Sequence, residues 1–211
     1  MLNIHRQKGM SLIELMISVA VGLFLMLGLL TFFVNNIRFN ADTAKSVRLS
    51  QELRSTMDLM QNDIRRASTW GNSQLGIGAS AIPNPFGAIN TSTAGCILYS
   101  YDQNSDGVLN TGAPGTPDER FGFLLDSGAV KMRNGSGTYS CAPSSEWGAV
   151  TDANSVTITV LTFTAISTAA INNTRTTVRD ITITLTGRLA GDAGVVQSLT
   201  ETVRVRNDLY T

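Results

Sequence analysis

Three oxygen-bearing side chains stand at alternate positions in Asp102-Gln103-Asn104-Ser105-Asp106-Gly107, with Val108 and Asn110 following. This D-x-N-x-D-G pattern matches positions 1, 3, 5 and 6 of a calcium loop. There, side-chain oxygens alternate, a glycine makes the sharp turn, and the seventh residue offers a backbone carbonyl. Asp102, Asn104, Asp106 and the Val108 carbonyl are therefore candidate ligands for Ca²⁺, and Asn110 falls at position 9. Position 12 is Ala113, which has no side-chain oxygen. Residues 111–117, TGAPGTP, read as an insertion, after which Glu119, or alternatively Asp118, would close the site. An Asx-rich turn uses the same residue types for backbone reasons. Three oxygens at alternate positions exceed what such a turn requires.

A second isolated charge lies near the N-terminus. Glu14 is the only charged residue among the apolar residues 10–34. A carboxylate costs about 2.5–3.5 kcal/mol at the centre of a membrane helix even on lenient insertion scales, so a charge kept there needs a partner. Arg6 and Lys8 precede the run, and the positive-inside rule leaves them in the cytoplasm. The remainder then faces the periplasm, or the outer side of another envelope. Cys96 and Cys141 fall in that exported part. Thiols oxidise there, so the expectation is a disulfide rather than two free buried thiols.

The composition excludes several function classes. The only histidine is His5, ahead of the apolar run, so the rest of the chain holds neither a Ser-His-Asp triad nor a His-ligated zinc or copper site. Beyond residue 45 the only lysine is Lys131. The formal net charge is 0, which gives no global pull toward nucleic acid. Arg175, Arg179, Arg188, Arg204 and Arg206 give the last strands a basic tendency. Without supporting lysines or aromatics it reads as a solvated face paired with Asp180 and Glu201, not a nucleic-acid surface.

The elements that must position these groups are legible as periodicities. No proline interrupts residues 10–82. Ile37, Ala41, Ala44, Val47, Leu53, Met57, Met60, Ile64 and Ala67 recur mostly at three- and four-residue spacing, with charged residues including Asp63 between them. This predicts one near-continuous helix over residues 11–67, about 85 Å long at 1.5 Å per residue. Its first half would cross the membrane, and its second half would bury the stripe against the rest of the protein. Residues 71–95 are rich in Gly, Pro, Asn and Ser and read as loop. From Cys96 onward strands are expected: CILYSY, a hairpin turning at Asp126-Ser127-Gly128, then SVTITVLTF, RDITITLTGRL and LTETVRVRN. Val156, Ile158 and Val160 alternate with threonines, as do Ile181, Ile183 and Leu185, and Val203 and Val205 alternate with arginines. That is an antiparallel sheet with one buried and one wet face. The fold class is α+β, with the helix packed on the sheet.

The junction of leader and helix resembles the cleavage and methylation site of type IV prepilins and the pseudopilins of type II secretion. Gly9, then Met10, then SLIEL over residues 11–15, sits directly on a membrane-length run. An ordinary signal peptide would instead carry an Ala-x-Ala-like site after its apolar region. The resemblance implies that prepilin peptidase cuts after Gly9 and that Met10 is then N-methylated. It also implies that Glu14 pairs with the N-terminal amine of a neighbouring subunit. It divides the chain into a leader at 1–9, a transmembrane half-helix at 10–34, an amphipathic half-helix at 35–68 and a periplasmic globular domain at 69–211. The segments CILYSYDQNSDG, DERFGFLL and VRVRN are similar to those of PilW-like minor pilins and J-type pseudopilins. The implied role is a non-enzymatic minor pilin of the complex that initiates assembly and sits at the pilus tip, in a machine serving twitching motility. Its implied partners are the major pilin, other minor pilins, prepilin peptidase, the inner membrane and a tip adhesin. The alternatives are a J-type pseudopilin of type II secretion, a DNA-uptake minor pilin and a membrane-anchored periplasmic enzyme.

Overall fold

The computed structural model describes residues 9–77, 80–170 and 173–210. His5, Arg6, Lys8 and the side chain of Arg175 lie outside the described residues.

Helix α1 runs over Leu12–Ile64, 53 residues. It starts where the Ser11 carbonyl accepts the N–H groups of Glu14 and Leu15 at 3.1 and 3.2 Å. Its first portion is apolar and exposed, from Leu12 (79%) to Phe33 (62%). By length and hydropathy it suits a membrane span. The chain divides into two compact units, residues 1–45 and 46–211.

Within the second unit, the helix buries Leu49, Leu53, Met57, Met60 and Ile64. Burying side chains of this kind is worth about 1.5–3 kcal/mol each. The stripe expected from residue 37 is buried only from Leu49 onward. Ile37 and Val47 are 54% and 50% exposed among the described residues. The helix terminates through Ser68, which adopts the left-handed conformation (φ 64°). Its N–H donates to the Ser100 carbonyl at 2.8 Å and its hydroxyl to the Phe86 carbonyl at 3.0 Å. Those bonds repay the strain of a non-glycine residue in that region.

The strands form two antiparallel sheets rather than the one expected. The first is a meander of β1 (Ile89–Asn90), β2 (Cys96–Ser100), β3 (Arg120–Asp126), β4 (Ala129–Arg133) and β5 (Trp147–Ala149). The β3–β4 hairpin turns at Ser127 and Gly128, both with positive φ, as a tight two-residue turn matching strand twist demands. The second sheet holds β6 (Val156–Ala170), β7 (Asn173–Leu189) and β8 (Asp192–Arg204), with β9 (Leu209–Tyr210) on the β8 side of β7.

Both sheets and the helix share one core. Ile97, Tyr99, Phe123 and Val130 of the first sheet and Ile158, Leu161, Phe163, Ile181, Ile183 and Leu185 of the second surround Leu53, Met57 and Met60. The alternation expected in β7 holds over Ile181, Ile183 and Leu185. In β6 it breaks. A register shift between Ile158 and Val160 inserts one extra residue, so Leu161 turns inward and Val160 is 41% exposed. A smaller cluster of Cys96, Leu98, Leu124 and Trp147 lies apart from the main core. Successive side chains of β2 therefore alternate between two clusters, and the strand is buried throughout.

Candidate functional site

The acidic loop connects β2 to β3. Asp102, Asp106 and Glu119 each place a carboxylate oxygen within 4.8 Å of the other two. Asp102 and Glu119 are buried, at 5% and 0% exposure, while Asp106 is exposed. The Asp102 Oδ2 accepts the N–H of Gly71 at 2.8 Å and of Gly107 at 2.9 Å. Glu119 accepts the N–H of Gln103 (2.8 Å) on Oε1 and of Asn110 (2.9 Å) on Oε2. These bonds draw the loop around the two buried carboxylates.

Gly107 has to be glycine. Its φ is +79°, and a Cβ there would lie 1.8 Å from Asn72 Nδ2. The Trp70 indole N–H donates to the Gly107 carbonyl at 3.0 Å, which ties the segment after α1 to the loop.

The remaining expected ligands are arranged differently from one another. Asp106 Oδ1 accepts the Val108 N–H at 2.7 Å, and its Oδ2 accepts the side-chain amides of Asn104 and Asn110 at 2.8 and 2.9 Å. The Val108 N–H, followed by those two amides, holds the Asp106 carboxyl below the ordinary carboxylate range. Asn104 Oδ1 accepts the Asp106 N–H, and the Val108 carbonyl accepts from Asn110. Asp118 is engaged elsewhere: its Oδ2 lies 2.9 Å from Nη2 of both Arg120 and Arg133. Burial pulls the Asp118 carboxyl up, but the two guanidiniums outweigh it and hold it below the usual range.

Cys96 and Cys141 are joined, with Cα atoms 6.0 Å apart. The bridge ties β2 to the segment between β4 and β5. Gly9 and Met10 are exposed at the foot of α1, and Glu14 occupies its first turn.

Asp63, Arg133 and Arg179 are buried charges outside the expected ligand set. Asp63 falls among the polar positions of the helix by periodicity, yet it is 8% exposed. It accepts hydroxyl hydrogen bonds from Tyr99 and from Tyr101, the latter at 3.1 Å. The pair YSY over 99–101 puts both phenols on one face of β2, which is a faint sequence signal. Arg179 is not part of the solvated basic face that its sequence neighbours suggest. It is 6% exposed and donates to the Gly87 carbonyl (2.6 Å), Ser68 Oγ (2.8 Å) and the Asn207 carbonyl (3.1 Å). Its position is in phase with Ile181, Ile183 and Leu185, so the period-2 rule already turned it inward. Arg204 pairs with Asp208 at 3.2 Å.

Two family models match the chain. That of prepilin peptidase-dependent protein B matches residues 42–205, well over half of the chain, and that of the prokaryotic N-terminal methylation motif matches residues 4–30. No curated protein and no solved structure gives a significant match.

Proposed function

This chain belongs to the family of prepilin peptidase-dependent protein B, and on that footing we propose that it is a minor type IV pilin, a structural subunit of the complex that starts pilus assembly and remains at the pilus tip. The observation that carries the reading is the junction at Gly9 and Met10, which lies directly before an exposed apolar helix whose first turn holds Glu14. The membrane peptidase cuts after Gly9 and Met10 becomes the N-methylated terminus. The apolar half of α1 holds the subunit in the inner membrane with residues 46–211 in the periplasm, until the same half-helix enters the filament.

Glu14 has a defined task in this scheme. Its carboxylate neutralises the terminal amine of an adjacent subunit. Two opposite charges in a medium of low dielectric are tolerated as a pair, whereas either alone is costly. The pair forms at one axial offset, so it sets register. The other minor pilins, the major pilin and a tip adhesin are the partners of this reading. The subunit performs no catalysis, and twitching belongs to the assembled pilus.

The test is a strain that depends on this copy. Gly9→Val should leave uncut precursor in the inner membrane and remove surface pili. Glu14→Ala should be cut normally yet be scarce in sheared pili. Normal piliation together with a defect in exported enzymes would instead assign the chain to type II secretion as a J-type pseudopilin.

A further inference from the structure

We propose that Asp102, Asp106 and Glu119 form a calcium site that locks the exit of α1 to the loop between β2 and β3. Three carboxylates whose oxygens lie within 4.8 Å of one another form a donor set of the kind a hard cation takes. Among the described residues none of the three is in an ion pair, whereas their neighbour Asp118 is held by two arginines. Asp102 supplies the decisive observation. Its Oδ2 accepts two backbone N–H groups, while its Oδ1 is buried and has no hydrogen-bond donor among the described residues. A carboxylate oxygen stripped of water without a donor is costly, and a cation satisfies it.

The donors are all oxygens, which favours a hard cation over zinc or copper. Calcium accepts irregular coordination by carboxylates, amide oxygens and carbonyls, while magnesium demands near-ideal octahedral geometry. Asn104 and Asn110 now donate to Asp106 Oδ2. A half-turn of either amide presents its oxygen to the ion instead. Exposed Asp106 leaves an entry path from solvent.

Three separate constraints meet at the site. Asp102 also holds Gly71, just past the helix, Glu119 leads into β3, and the Gly107 carbonyl receives Trp70. An ion at their meeting point fastens the end of the helix to the first sheet. With no bidentate glutamate at the twelfth loop position, the affinity falls in the extracellular class, Kd on the order of 10⁻⁴–10⁻³ M. The site would thus fill outside the cytoplasm and stay empty inside it.

The experiment uses the full chain in detergent micelles with CaCl₂ as the probe, followed by tryptophan fluorescence because Trp70 abuts the loop. The melting temperature should rise by roughly 5–10 °C in 10 mM calcium relative to chelator. Asp106→Asn, at an exposed position, should fold as the parent does and lose most of that rise. Glu119→Gln, which keeps the side chain's shape, should lose it too. Terbium in place of calcium should show luminescence excited through tryptophan, displaced by calcium and absent in Asp106→Asn. An unchanged melting temperature with no calcium retained on equilibrium dialysis overturns the site. So does a full response in both variants. An equal response to magnesium overturns the assignment to calcium.

Discussion

Asp118 and Glu119 are adjacent in the chain but serve different partners. Asp118 lies 2.9 Å from the guanidinium nitrogens of Arg120 and Arg133, while Glu119 accepts the backbone N–H groups of Gln103 and Asn110 at 2.8 and 2.9 Å. Successive side chains of an extended backbone leave on opposite sides, and these two residues lead directly into β3. One carboxylate is thereby fixed to the β4 arginine and the other to the loop.

Removing Asp118 should therefore be a stability defect. The Arg133 side chain is 1% exposed, and without Asp118 its charge stays buried. Asp118→Ala is expected to cost about 3–5 kcal/mol, the usual range for breaking a buried pair from one side. Denaturant midpoints of wild type and variant measure it. A change below about 1 kcal/mol, the range of exposed pairs, would show that Arg133 finds other acceptors.

The Cys96–Cys141 bridge spans a sequence separation of 45. Replacing both cysteines by serine should destabilise the protein by about 2–5 kcal/mol. Unfolding midpoints of parent and variant, both without reductant, give the value, and alkylation of the denatured, unreduced parent should label no thiol.

The tyrosines predict a response to alkali. Burial first, then the Asp63 carboxylate, pushes Tyr99 and Tyr101 well above the ordinary phenol range. Burial pushes Tyr139 up to about 12, against the opposing pull of Arg133 and Arg120. A folded pKa above the unfolded one means stability that is complete below the ordinary phenol value of about 10 and is lost as pH rises through the folded values. Absorbance at 295 nm should show most tyrosinate appearing only as the protein unfolds above pH 10. Ordinary titration of all the tyrosines in native protein would contradict the burial of Tyr99 and Tyr101.

The bulge in β6 separates two neighbouring apolar residues. Val160→Thr should change stability by no more than about 0.5 kcal/mol, as surface changes do. Leu161→Ala should cost about 2–5 kcal/mol through the cavity it leaves. The reverse order would mean that the register shift between Ile158 and Val160 is absent.

The sequence by itself determined what rests on local periodicity and local chemistry. The unbroken helix from Leu12 follows from a proline-free run with an apolar repeat, and the strand through Ile181, Ile183 and Leu185 from strict alternation. The junction at Gly9 and Met10 is contiguous and needed no fold to be read. Tertiary structure alone decided which polar groups lie inside. Asp63 is buried because Tyr99 and Tyr101, more than thirty residues away, reach it with their hydroxyls. Glu119 rather than Asp118 meets Asp102 because the 111–117 excursion returns the chain with that phase. The helix stripe from Leu49 to Ile64 is buried because residues of both sheets, far away in the chain, supply the side chains that pack against it. Periodicity assigns a face to each residue. Whether a partner exists to cover that face, or to satisfy a charge placed on it, depends on contacts between distant segments that local sequence does not encode.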